Sequence, residues 1–326
     1  MTPAHQEITS MSFAHVLVLA GGLSFEREVS LRSGRRVLDA LKLAGLDAEQ
    51  RDADTTLLPL LLATPPDAVL ISLHGATGED GALRGVLELA GVPYVGPDAR
   101  AARRAWDKPT AKAILRDAGQ PTPDWITLPQ ETFSELGASA LMTQIVEEMG
   151  LPLMVKPAQG GSGLGAHVVR TAAELPAAMV GCFAYGGTAL IERFVTGIDV
   201  AVTVLDLGEG PVALPAVEIV PADGVYDYQA RYTAGVTTWH APARLSPEVS
   251  ERVAALAVEA HKALGLRDLS RVDLIVDAGG DVHFLEANVS PGLTETSLVP
   301  MAIEAAGLDV GKVLGDLVQL AIARKN

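Results

Sequence analysis

Cysteine is almost absent from these 326 residues: Cys182 stands alone, so neither an intramolecular disulfide nor a cysteine-rich metal site can form. That thiol lies in an apolar helical stretch and reads as core packing rather than a nucleophile. Basic charge is also scarce, with 25 Lys and Arg against 40 Asp and Glu and a formal charge of −15. Such a balance argues against a nucleic-acid backbone or an anionic membrane as the main partner, while an anionic small substrate needs only a local basic pocket. No apolar run approaches the roughly 18 residues of a membrane span. The opening MTPAHQEITSMS lacks the basic start and apolar region of a signal peptide, so residues 1–12 are expected to be a disordered tail, with Met11 as an alternative start. Internal repeats and low-complexity segments are missing too. These absences point to a cytoplasmic protein.

What remains is ordinary for a globular chain, 48% hydrophobic and 20% charged, and long enough for two or three domains. His15–Ala20 is a short apolar run ending in Gly21-Gly22, with a helix pattern from about Ser30. Asp67–Leu73 ends likewise at His74-Gly75, and Val92–Val95 reads as a third strand after a helix near 82–90. Strands alternating with helices predict a parallel sheet whose ligands lie beyond the strand ends. The glycine pair lacks the GxGxxG spacing of a dinucleotide site. Glu26 and Glu28 near the first helix read equally as macrodipole acids or as site groups, and His74 as a core or capping histidine.

Further on, Asp107-Lys108 opens a helix over 110–118, and 133–148 reads as another. The strand ending at Lys156 runs into Gln159-Gly160-Gly161-Ser162-Gly163-Leu164-Gly165, four glycines and a serine before the strand from His167. Such a loop can lay backbone N–H groups over a phosphate, although it is not a P-loop, which ends in GK[ST] and enters a helix. A polar, aromatic stretch, Asp223–Tyr232, holds three of the five tyrosines and has the composition of a lid. Ser246 is placed to cap a helix over 247–264, and a last helix spans about 310–323.

The densest chemistry is RVDLIVDAGGDVHFLEANVSPGLTETS, Arg271–Ser297. Residues 271–276 and 282–288 around the turn Asp277–Asp281 read as a β-hairpin. Side chains alternate, so Arg271 and Asp273 share one face of the first strand, and Glu286 and Asn288 one face of the second. Should the faces coincide, the oxygen ligands suit magnesium; should they not, this is the solvated face of an edge hairpin.

Six ordered segments carry a resemblance: GGLSFEREVSLRSG, LHGATGEDGALRG, DKPTAK, KPAQGGSGLG, VYDYQARY, and RVDLIV with FLEANVSPGLTETSLVP. From Val16 to about Leu320 the chain resembles the D-alanine–D-alanine ligases of the ATP-grasp superfamily. The resemblance implies an α/β fold of three domains, an N-terminal Rossmann-like parallel sheet (13–106) and two α+β domains (107–196 and 197–326) that sandwich ATP. It implies ATP as substrate and magnesium, as two ions with manganese able to substitute, on Asp273, Glu286 and Asn288. Phosphorylation of one D-alanine carboxylate and attack by the amine of a second would follow, since an acyl phosphate leaves where an oxide cannot, and the product feeds peptidoglycan synthesis.

By matching positions, Arg271 and the N–H of Gly292 would meet the oxyanion, and Lys108, Lys156 and Arg231 the phosphates. Glu192, with backbone groups of Arg193 and Val195, would hold adenine, and Asp199 the ribose. Glu26 would bind the first ammonium, His74 neighbour that site, and Ser297 with Leu298 receive the second carboxylate. Ser162 and Tyr232 would link the glycine loop to the lid, the tyrosine favouring an amine over a hydroxyl acceptor. The family also implies a homodimer. Departures are Asp199 in place of glutamate, Arg231 in place of lysine, and a glycine loop without its acidic residue and second serine, which predict a higher KM for ATP. The alternative is a related ligase for another amino acid.

Overall fold

The computed structural model describes residues 14–222, 224–233 and 235–324, so the expected tail at 1–12 lies outside the described residues. The first unit is a parallel sheet of three strands ordered Asp47–Arg51, His15–Leu19, Ala68–Ile71. The middle strand is apolar and buried at four of its five positions, as a strand covered on both faces must be. Its neighbour Asp47–Arg51 is polar DAEQR, an edge strand with no apolar pattern to announce it. The strand expected over Val92–Val95 shrinks to a single bridge between Val69 and Tyr94. Pro93 has no N–H to donate, and the ladder consists of Val69 N–H to Pro93 O and Val95 N–H to Val69 O.

A four-stranded antiparallel sheet follows, ordered Trp125–Pro129, Thr188–Arg193, Leu153–Pro157, His167–Val169. The helix expected over 133–148 is two, Gln130–Glu135 and Ala138–Met149, divided where Gly137 takes a φ of 91°. Cys182 is fully buried in the helix Leu175–Phe183, where burial pushes its thiol up to about 12 and leaves it inert.

The last sheet has the order Thr237–His240, Val217–Pro221, Gly197–Leu205, Leu269–Asp277, Val282–Asn288, with Val212–Ala213 beside Gly197–Leu205. Helix Pro247–Ala263 packs on it, capped by Ser246 Oγ accepting from Val249 N–H. Helix Val310–Ala323 lies on helix Arg27–Leu43 and strand Ala68–Ile71, and one apolar core joins Val16, Val37 and Leu41 to Leu314, Leu317 and Val318. That core ties the chain's end to its beginning and brings the strand ends of the first sheet up to the hairpin. Among the described residues no helix is long and apolar enough to cross a membrane.

Candidate active site

The hairpin register decides what strand periodicity left open. Arg271 stands opposite Asn288 and Asp273 opposite Glu286, so the two faces coincide. A bulge follows Asp273, after which Leu274 pairs with Phe284; Leu285 is the extra residue, and Phe284 turns into the core while Glu286 and Asn288 stay on the polar side. The adjoining strand pairs Asp199 with Ile275 and Thr203 with Arg271, which puts Asp199 on the same face. Burial raises the Asp199 carboxyl to about 6, against the pull of Arg231.

Cations pair with these carboxylates. Arg271 donates through Nε to Asp273 Oδ1 at 2.7 Å and through Nη2 to Oδ2 at 2.8 Å. Lys108 Nζ lies 3.3 Å from Glu286 Oε2 and donates to Gly160 O at 2.6 Å, tying the glycine loop to the hairpin. Burial pushes the Glu286 carboxyl up, but Lys108, Lys156, Arg231 and Arg271 outweigh it and bring it down to about 2. Lys156 Nζ is 2.5 Å from Glu192 Oε1. Arg193 donates its N–H to Asp124 O at 3.0 Å. In the lid, Arg231 stacks 4.2 Å over the Tyr226 ring.

Two adjoining cavities divide these groups. The larger, about 550 Å³, is lined by Lys156, Glu192, Arg193, Val195, Asp199 and Asp273. The narrower, about 90 Å³, takes Glu26, His74, Ser162, Asn288, Gly292, Ser297 and Leu298. Lys108, Arg231 and Glu286 line both, at the junction.

In the narrow cavity, Ser162 adopts a left-handed φ of 54° and its Oγ donates to the Glu26 carboxylate. His74 is buried and held down to about 4, hence neutral near pH 7. Its Nδ1 lies 3.0 Å from Ser290 O, a pure acceptor, so Nδ1 carries the proton and Nε2 faces Ser33 Oγ at 3.3 Å. Ser297 Oγ accepts from Thr294 N–H at 3.0 Å and lies 2.8 Å from where a Cβ on residue 292 would stand, so a side chain there would push the hydroxyl aside. Leu298 is buried and starts helix Leu298–Ala305. Of Tyr232 only the backbone is described, in the short helix Tyr228–Tyr232; the expected link from its side chain to Ser162 lies outside the described residues.

Among the described residues no three His, Cys, Asp or Glu cluster as metal ligands. The hairpin itself offers two carboxylates and an amide, a hard-oxygen set that suits magnesium when phosphate oxygens complete the shell.

Two residues of this site were not singled out from sequence. Glu79 is buried, accepts from Gly75 N–H at 2.9 Å, and is raised to about 8 by burial and then by the charge of Glu26. Lys112 is fully buried and donates to Glu192 Oε2 at 2.8 Å. A signal for Lys112 existed: it follows Lys108 by four positions, a like-charge pair on one helix face that demands carboxylate partners.

The family described as "D-ala D-ala ligase C-terminus" matches residues 114–319, and "D-ala D-ala ligase N-terminus" matches 46–97. A D-alanine--D-alanine ligase of Desulforudis audaxviator (strain MP104C) is 42% identical over 308 residues, which cover 94% of this chain and 98% of that one. Among solved structures, a D-alanine--D-alanine ligase from Bacillus anthracis complexed with ATP superposes with a TM-score of 0.80 at 29% identity, covering 96% of this chain and 98% of that one. The VanG D-Ala:D-Ser ligase from Enterococcus faecalis also gives 0.80, at 28% identity and with 95% and 99% covered.

Proposed function

The chain belongs to the D-alanine–D-alanine ligase family, with its ATP-grasp fold, and on that premise we propose that it joins two D-alanines at the expense of ATP through a D-alanyl phosphate. The observation that supports this most is the junction where Lys108, Arg231 and Glu286 line a nucleotide-sized cavity and a narrow one together. A γ-phosphoryl group reaching through that junction meets a carboxylate held on the far side.

Under this reading the adenine lies against Glu192, the Arg193 carbonyl and Val195, and the ribose against Asp199. Lys108, Lys156 and Arg231 take the phosphate oxygens. Glu26 holds the first D-alanine by its ammonium, and that carboxylate attacks the γ-phosphorus as the bond to ADP breaks. Asp273, Glu286 and Asn288 would hold magnesium, which neutralises the charge developing on the phosphoryl oxygens. Ser297 and Leu298 at a helix start receive the second carboxylate. Its amine then attacks the acyl carbon, Arg271 and the Gly292 N–H take up the oxyanion, and phosphate leaves with the C–O bond. Ser162 and Tyr232 keep water out by closing loop on lid, beside the neutral His74.

The same reading divides the chain at 106/107 and 196/197, places it in the cytoplasm as a homodimer, and makes its product a peptidoglycan precursor. Sizing chromatography tests the dimer. Incubation with ATP, magnesium and D-alanine should yield ADP and D-alanyl-D-alanine; appearance of neither refutes the assignment. Arg231 and the altered glycine loop favour one other reading, a ligase whose acceptor is a different amino acid, and phosphate release across D- and L-amino acids separates the two.

A further inference from the structure

The chemistry above uses Lys108 and Lys156 and leaves a third interior lysine without a task. Lys112 has no exposed side-chain area and lines neither cavity. Its Nζ donates to Glu192 Oε2 at 2.8 Å and to Thr122 Oγ1 at 2.7 Å, and lies 5.1 Å from the centre of the Trp125 ring. Thr122 Oγ1 donates onward to Phe284 O at 2.8 Å, two residues before Glu286. The other Glu192 oxygen meets Lys156, which is 13% exposed at the cavity wall. One buried carboxylate therefore carries two lysines, one enclosed and one facing the nucleotide cavity.

We propose that Lys112 is a positioning residue for nucleotide recognition, the enclosed counter-ion of Glu192 that frees Lys156 for the phosphates of ATP and fixes Glu192 to accept from the 6-amino group of adenine. The inference rests on the larger cavity being the ATP site. Stripping a buried carboxylate of its sole cation leaves an uncompensated charge, so a lone Lys156 would be held where it is. With Lys112 fixed on Oε2, Lys156 can move and the carboxylate keeps a partner. Oε1 is then an ionised acceptor that takes an amino hydrogen and repels the 6-oxo group of guanine, itself an acceptor.

Calorimetric binding of ATP and of GTP, with steady-state kinetics, on the wild type, Lys112→Met and Lys112→Arg tests this. Lys112→Met should weaken ATP binding and raise its KM by about tenfold or more, leave kcat at saturating ATP within about threefold, and erode the preference for ATP over GTP. Lys112→Arg, which keeps the charge, should recover most of both. A merely structural lysine would lower the melting temperature and leave the ATP-to-GTP ratio alone. A folded Lys112→Met with unchanged ATP affinity and unchanged ratio overturns the proposal. If that variant does not fold, Thr122→Val loosens Lys112 without removing charge; a several-fold rise in the ATP dissociation constant supports the role, and no change overturns it. Calorimetry needs no turnover, so a wild type that binds ATP but forms no dipeptide refutes only the substrate assignment, and the Lys112 comparison still decides. A wild type that does not bind ATP overturns both.

Discussion

Arg271 and Asp273 grip each other at two points, 2.7 and 2.8 Å, from positions two apart on one strand, and Glu286 stands directly across the ladder from Asp273. Because Glu286 has its own cation in Lys108, both carboxylates that the hairpin puts on this face are already paired in a buried setting. That pair uses Nε and Nη2 of Arg271, and the Nη1 donors of the guanidinium remain for an anion beside the pair.

Glu286→Gln keeps the shape and removes the charge. Lys108 retains its contact with Gly160 O, so the fold should survive with a melting temperature near the wild type. ADP formation should fall by about 10²-fold or more, as for loss of a principal electrostatic element in a transition state. Normal turnover would take Glu286 out of the metal site.

Gly163→Ala should pry the glycine loop off the lid. Gly163 has a φ of +72°, and a Cβ there would meet the backbone of Asp227 and Tyr228 at 3.1 Å. The left-handed conformation alone costs an alanine about 1 kcal/mol. The expected result is a raised KM for ATP with the melting temperature little altered, since the strain falls on a loop; an unchanged KM would show that this contact does not govern closure.

Arg231→Lys preserves the charge at the junction but loses the stacking over Tyr226. The rate at limiting ATP should drop between about two- and thirtyfold, the range of such a contact from exposed to desolvated. A gain in rate would mean that the lid tolerates arginine rather than being built around it.

Glu79 makes stability depend on pH. Its folded carboxyl is raised to about 8 while an unfolded one titrates near the ordinary glutamate value of 4.5, so between those values the folded chain holds a proton that the unfolded chain has lost. This contribution is fully present below the unfolded value and declines as pH rises towards 8. Glu79→Gln, neutral at every pH, should match the wild type near pH 4.5 and exceed it increasingly towards pH 8. Thermal melts across that range check this, and parallel curves for the two proteins would contradict a neutral Glu79.

Most of the strands, several helices and the residue set around the hairpin could be read from the sequence because their causes are local. Alternation assigns Arg271 and Asp273 to one face, Ser246 marks a helix start, and glycine-rich turns interrupt apolar runs. The edge strand Asp47–Arg51 and the truncated pairing at Val92–Val95 were not legible, since the first has no apolar pattern and the second depends on how many bonds a neighbour offers Pro93. The hairpin faces needed the register and its bulge, a property of two strands together. Glu79 and Lys112 needed the fold most of all: burial gives one a proton and the other a fixed carboxylate, and burial is set by everything packed around a residue rather than by its neighbours in sequence.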